Sequence, residues 1–165
     1  MAMDDIREAE ASFQRRKIGA AVIDLNAAVL TKLKAEKLNG AAVFLARCLT
    51  REGREAVAEK TGIGYETVLR LTRYCDLMRL PGISRRLLKA FCDTGYDSVA
   101  KIRAANPAAM QNCLQAYLFT RWGKAALPSN FNVKRVVALA ERLPDLLLDD
   151  APAEQKTAVW GFSGV

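Results

Sequence analysis

The sequence predicts an all-α fold, and three observations support this prediction. Hydrophobic residues make up 51% of the 165 residues, which is enough to bury the core of one compact domain. Glycine and proline are scarce, at 10 and 5 residues, whereas alanine, leucine, lysine, arginine and glutamate are common, as is typical of helices. Apolar residues recur at helical spacing, and runs that alternate with period two are missing. We therefore expect a compact multi-helix domain.

The helical pattern covers residues 18–144 and is flanked by two segments of different composition. Residues 1–17 are highly charged and are predicted as an extension, either a short helix or a loose segment. Residues 145–165 lose the periodicity and are predicted as a tail, whose Trp160 and Phe162 dock on the domain or on a partner. The acidic start of the chain has no apolar run, so it predicts neither a signal peptide nor a membrane span.

The first half of the domain predicts four helices. Residues 25–38 predict an amphipathic helix with interspersed lysines, which Asn39 and Gly40 cap and turn before a more buried helix. Thr50 is predicted as the N-cap of a third helix, which stops at Gly62. The apolar face of the fourth helix comprises Val68, Leu71, Cys75 and Met78, with Arg70 and Arg73 on another face.

The second half begins where Pro81 and Gly82 break the helical pattern. The short helix that follows has Leu87, Leu88, Phe91 and Cys92 on its apolar side and Arg85, Arg86 and Lys89 on the other. Asp97 or Ser98 is predicted to cap the next helix. Asn106 and Pro107 start a long helix with apolar residues at Met110, Cys113, Leu114, Tyr117 and Leu118. The last helix has Ser129 or Asn130 as its N-cap, Val133, Val136, Val137 and Ala140 as its apolar face, and Pro144 after its end.

A helix, a glycine–isoleucine–small turn and a second helix occur twice in succession, in "EKTGIGYETVLRL" and "MRLPGISRRLLKA". A third stretch, "VIDLNAAVLTKL", has the same rhythm without the glycines. These motifs resemble the helix-hairpin-helix superfamily, whose hairpin reads Leu-Pro-Gly-Ile-Gly. The order of the motifs over residues 50–144 is similar to a bacterial branch catalogued as a domain of unknown function, in "REAVAEKTGIG", "VLRLTRYCDLMRLPGIS", "TGYDSVAKIRAANPAAM" and "LPSNFNVKRVVALAERLP". The chain departs from the superfamily pattern at Ser84, which replaces the second glycine, and at Arg85, where proline is common.

The resemblance implies a fold of tandem helix-hairpin-helix units that contact nucleic-acid phosphate. A glycine turn before a helix directs unpaired backbone N–H groups at one point, and the helix dipole adds positive charge there. The net charge of +7 also favours a polyanion, although it equally fits a solvated basic surface. The predicted nucleic-acid-binding residues are Gly82, Ile83, Ser84, Arg85, Arg86, Lys89, Arg79, Gly62 and Gly64. Ile83 is expected to pack the hairpin onto the helices.

The predicted partner is the DNA or RNA backbone, bound without sequence preference at about 10⁻⁴ to 10⁻⁶ M. Glu59 and Glu66 flank the first hairpin and would repel phosphate. The alternative is a helical scaffold for a protein partner, in which both hairpins are purely architectural. Two further sets of residues have two interpretations each. A basic track or a solvated face would be formed by Lys32, Lys34 and Lys37. Stacking on bases or packing within the protein would involve Tyr65, Tyr74 and Tyr96.

Catalysis, cofactors and metals are not expected. The chain has no histidine, and its four cysteines lack the CxxC spacing of a zinc site, so they are interpreted as core residues in a reducing cytoplasm. Lys89 with Asp93 is the nearest approach to a catalytic pair, and no pocket is evident for it. Asp145, Asp149 and Asp150 are interpreted as part of an acidic tail.

Overall fold

The computed structural model describes residues 3–123, 127 and 131–147, and these residues form an all-α fold, as predicted. Trp160, Phe162, Asp149 and Asp150 lie outside them. The described part contains ten helices: α1 Met3–Arg15, α2 Ile18–Ala21, α3 Ala27–Ala35, α4 Ala41–Arg47, α5 Arg51–Thr61, α6 Tyr65–Leu77, α7 Arg85–Asp93, α8 Val99–Ala104, α9 Pro107–Trp122 and α10 Val133–Arg142.

Helix α6 is the centre of the fold. It packs against α4, α5 and α7, while α7 continues onto α9, and α10 covers α8 and α9. Every residue from 71 to 80 is buried, because helices surround the second half of α6. Arg73, predicted to lie on a face of this helix other than the apolar one, is buried like its neighbours. The polar Asp76 is accommodated by accepting hydrogen bonds from Arg79 and from the first amide of α8, at Val99.

Several helix starts are confirmed by their caps. The side chains of Thr50, Ser98 and Asn106 accept hydrogen bonds from the backbone amides three residues ahead. The last helix differs from the prediction, because its N-cap is Asn132 and not Ser129 or Asn130. The apolar stripe of α10 begins at Val133, so the capping residue is the one directly before it.

The turn between α3 and α4 also differs from the prediction. The left-handed residue is Lys37, with φ 56°, whereas Gly40 has an ordinary φ of −83° and is the N-cap of α4. The amide of Leu38 donates to the carbonyl of Leu33 at 2.8 Å, and the amide of Lys37 donates to that of Lys34. These are the two bonds of a Schellman motif, which places the apolar Leu38 back in the core.

The N-terminal helix α1 packs against α4, and its Ala9 is buried. Immediately after α1, the chain exchanges backbone hydrogen bonds with the α3–α4 turn, from Ile18 to Asn39 and from Ala41 to Arg16. These contacts place α1 on the same core as the helices that follow it.

The cysteines behave as core residues. Cys48 and Cys75 are buried, Cys92 and Cys113 are half-buried, and all four are free thiols. Burial raises the pKa of the Cys48 thiol to about 11, and it raises that of Cys75 well above its usual value. A thiol with so high a pKa is a poor nucleophile.

Candidate nucleic-acid interface

The two glycine motifs form two hairpins of similar backbone geometry, one on each side of α6. In each, a left-handed glycine is followed by a buried isoleucine and then by the N-cap of the next helix: Gly62, Ile63 and Gly64 before α6, and Gly82, Ile83 and Ser84 before α7. The third stretch of the repeat has no such turn, and Asn26 simply caps α3. Burial of Ile83 agrees with its predicted packing role.

The second hairpin presents its backbone to solvent. Gly82 has φ 80°, and a methyl group built on it would meet no atom within 4 Å. The hydroxyl of Ser84 accepts from the amide of Leu87 at 3.3 Å. Within the part of the chain that the structure describes, the backbone N–H groups of residues 82–86 donate to no acceptor. The turn therefore carries free donors at an exposed helix start.

Two of the four predicted cations stand beside these donors. Arg85 and Arg86 are exposed in the first turn of α7. Arg79 and Lys89 do not join them, since each is only 6% exposed. Arg79 pairs with Asp76 at 2.8 Å and donates to the carbonyl oxygen of Pro144. The predicted exposure of Lys89 on the polar side of α7 is therefore corrected.

Lys89 can be buried because two carboxylates, one from the turn before α3 and one from α7, pair with its amino group. It pairs with Asp24, before α3, and with Asp93 at 3.0 Å. Asp93 also accepts from Arg70 at 2.6 Å and from the hydroxyl of Tyr117 at 2.5 Å. Burial alone would raise the pKa of Asp93, but these hydrogen bonds outweigh it and lower the pKa. Such a carboxylate stays ionised near neutral pH and is a weak base.

Arg16 holds the second hairpin in place and was missed by sequence reasoning. Its guanidinium donates to the carbonyl oxygens of Met78 and Ile83, both at 3.2 Å. These carbonyls lie at the end of α6 and inside the turn, so one side chain links both. No pattern in the sequence connects Arg16 to a turn 67 residues later.

A cleft of about 260 Å³ adjoins the second hairpin. Its lining comprises Pro81, Gly82, Phe131, Asn132, Arg135, Val136 and Leu139. Arg135 is exposed and brings a cation from α10 to the open side of Gly82. Sequence reasoning missed Arg135 because only the packing of α10 brings it beside the turn.

The first hairpin has fewer free donors for an anion than the second, and it has an acidic side chain nearby. The amide of Ile63 donates to the hydroxyl of Thr61 at 3.2 Å, so this donor is already used. The carbonyl of Gly62 accepts from Lys32 at 3.4 Å. The acidic Glu66 stands exposed in the first turn of α6, where it repels phosphate.

The tyrosines considered for stacking are largely engaged within the protein. Tyr74 is buried and bonded to Arg70, and Tyr96 is half-buried. Tyr65 is half-buried and accepts a hydrogen bond from Arg54. They therefore add little to a surface for bases.

Among the described residues, none of the helices combines the length and the apolar composition of a membrane span. These residues also contain no cluster of side chains that could hold a metal ion.

Comparison with known proteins identifies a family. None of the curated proteins and none of the solved structures has a significant match to the chain. One family model, described as Domain of unknown function (DUF4332), matches residues 24–143, from the segment before α3 to the end of α10. Because this match spans well over half of the sequence, the chain belongs to the DUF4332 family.

Proposed function

We propose that this chain is a helix-hairpin-helix protein that binds the phosphate backbone of nucleic acid, in particular DNA, without sequence preference. One observation carries the proposal: the exposed turn at Gly82 has unpaired amides beside the exposed Arg85 and Arg86. Amides at a helix start and adjacent guanidinium groups are both good donors to phosphate oxygens. The proposal involves no cofactor, metal or catalytic step.

The chemistry of the site predicts weak, salt-dependent binding. Its donors are backbone N–H groups and arginines, and such contacts to phosphate carry no sequence information. With one hairpin engaged, we expect a Kd of about 10⁻⁴ to 10⁻⁶ M at physiological salt. We place this activity in the cytoplasm, since free thiols such as the buried Cys48 and Cys75 persist under reducing conditions.

Reversal of the two arginines tests the proposal. We expect Arg85→Glu with Arg86→Glu to weaken binding about tenfold or more and to reduce the slope of log K against log salt by about two, one for each lost phosphate contact. The measurement is fluorescence anisotropy of labelled single-stranded and duplex DNA over a salt series. Circular dichroism should show unchanged helicity, because both side chains are exposed.

A matched control variant distinguishes binding at this site from a general effect of the net charge of the protein. Arg7→Glu with Arg47→Glu makes the same change in net charge at exposed positions on α1 and α4, outside every predicted binding residue. We expect this control to retain most of the affinity. Equal losses in the two double variants, or no loss in the first, would reject the site.

A scaffold for a protein partner is the second candidate. It is favoured by the carboxylates of Asp76, Asp24 and Asp93, because they pair with Arg79 and Lys89, two of the four cations predicted to bind phosphate. The absence of DNA and RNA binding at low salt would favour this function over the first.

A further inference from the structure

An aromatic ring with two guanidinium groups close to it lies near the second hairpin. The guanidinium of Arg86 lies 5.3 Å from the ring centroid of Trp122, and that of Arg121 lies 5.5 Å from it. Trp122 is half-buried, and its edge packs against Tyr117 with the ring centroids 6.1 Å apart. Both arginines are exposed. Arg86 therefore borders the Gly82 turn on one side and the indole ring on the other.

Packing of α7 on α9 creates this arrangement. Arg86 is in the first turn of α7, and Trp122 is the last residue of α9, so the start of one helix meets the end of the other. Because the two residues belong to different motifs of the sequence, only the tertiary structure brings them together.

We propose that Trp122 is a stacking platform for an unpaired base and that the substrate of this surface is single-stranded nucleic acid. This inference rests on the proposed function, since the Gly82 turn would hold a phosphate of the same strand. In a duplex the bases are stacked inside the helix, whereas a single strand can place one against an aromatic ring.

The energies favour a base over the arginine that now covers the ring. An exposed cation–π contact shifts an equilibrium by only about two- to fivefold. Stacking of one base on an aromatic side chain is worth about five- to 150-fold. A base can therefore displace Arg86 from Trp122, and the released guanidinium is then free to bind a backbone phosphate.

The surrounding charge is also suited to a strand. Arg85, Arg86 and Arg121 are exposed around the ring. The carboxylate of Asp24 lies 3.8 Å from Arg121 and is also paired with Lys89. A backbone passing from the turn toward Arg121 would meet more positive than negative charge.

Fluorescence of Trp122 provides the primary test. The chain has two tryptophans, so Trp160→Phe leaves Trp122 as the single tryptophan, whose emission can be excited selectively over that of the tyrosines. An oligothymidine strand should quench its emission in a saturable manner, whereas a duplex of the same length should bind more weakly and quench less.

Substitution provides the second test. Trp122→Leu should weaken binding of the single strand about five- to 150-fold, the range for loss of one stacked base. Trp122→Phe should recover much of this loss, because it restores an aromatic face. Phe119→Leu, which removes an exposed aromatic one turn earlier on α9, should have no effect.

The outcomes distinguish this inference from the function on which it rests. If the strand binds and depends on Arg85 and Arg86, but Trp122 is not quenched or Trp122→Leu binds like the parent, the stacking platform is rejected and the phosphate site stands. Tighter binding to duplex than to single strand also rejects it. If neither polymer binds at low salt, both proposals fail.

Discussion

Asp93 shows how a single carboxylate can engage nearby cations in ion pairs within the protein. Arg70, Lys89 and Tyr117 all direct a donor at this side chain, which is only 22% exposed. As a result, the amino group of Lys89 forms ion pairs inside the protein and is not exposed at the surface. Long cationic side chains are usually exposed, so their burial needs a partner of this kind.

The lowered pKa of Asp93 makes the stability of the protein depend on pH. Because the folded-state pKa is below its usual value of 3.8, the stabilisation is fully present above the unfolded pKa and is lost as pH falls through the folded pKa. Asp93→Asn should reduce the free energy of unfolding by about 1 to 3 kcal/mol at neutral pH. The difference from the wild type should shrink below about pH 4.

Urea denaturation across pH measures this effect. Asp145→Asn is the control, because Asp145 is mostly exposed in its 2.9 Å pair with Arg103 and should contribute less than about 1 kcal/mol. A difference for Asp93→Asn that stays constant down to low pH would contradict the ionic explanation.

The hairpins around α6 depend on backbone conformation more than on side-chain contacts. Gly62 and Gly82 adopt φ values of 73° and 80°, which non-glycine residues reach only at a cost. The isoleucine that follows each glycine is buried and anchors the turn to the core. Each three-residue turn therefore depends on one left-handed glycine and one buried isoleucine.

Gly82→Ala isolates the backbone contribution. No atom lies within 4 Å of the added methyl, so the expected loss of about 1 to 2 kcal/mol comes from the positive φ alone. Gly64→Ala is the matched control, with equally open surroundings but a φ of −58°. It should lose less than about 1 kcal/mol, the value of a weaker N-cap. Equal losses in urea denaturation would contradict the assignment of the strain to Gly82.

Hydrogen bonds from two arginines connect parts of the fold that are far apart in the sequence. Arg16 joins α1 to the second hairpin, and Arg79 joins the end of α6 to the segment after α10 through Pro144. The proposed interface consequently depends on the N-terminal helix, although that helix precedes the residues matched by the family model.

Removal of the Arg16 guanidinium should destabilise the second hairpin, because Arg16 donates hydrogen bonds to two carbonyls there. Arg16→Ala leaves the carbonyls of Met78 and Ile83 without their charged donor, and we expect a loss of about 1.5 to 3 kcal/mol. Hydrogen exchange should quicken at the hydrogen-bonded amides that flank the turn, those of Leu80 and Leu88. Arg15→Ala, at an exposed neighbouring position, should change neither quantity. Unchanged exchange in Arg16→Ala would show that the hairpin holds its shape without this side chain.

Local features of the fold could be predicted because their causes are local. The helix caps at Thr50 and Asn106 and the break between helices at Pro81 and Gly82 follow from residue types a few positions apart. The turn at Lys37 was missed, since the need to bury Leu38 outweighed the usual preference for glycine. Local preference is a weak guide where tertiary packing sets the turn.

The sequence by itself determined the all-α class, most of the helices, several of their caps and the two glycine hairpins, because periodicity and backbone preference act within a few residues. Only the tertiary structure decided which cations reach solvent. It buried Lys89 and Arg79 against carboxylates, while it left Arg86 exposed beside Trp122. The physical reason is that burying a charge is costly without a partner, and such partners come from elements that the sequence does not show to be adjacent.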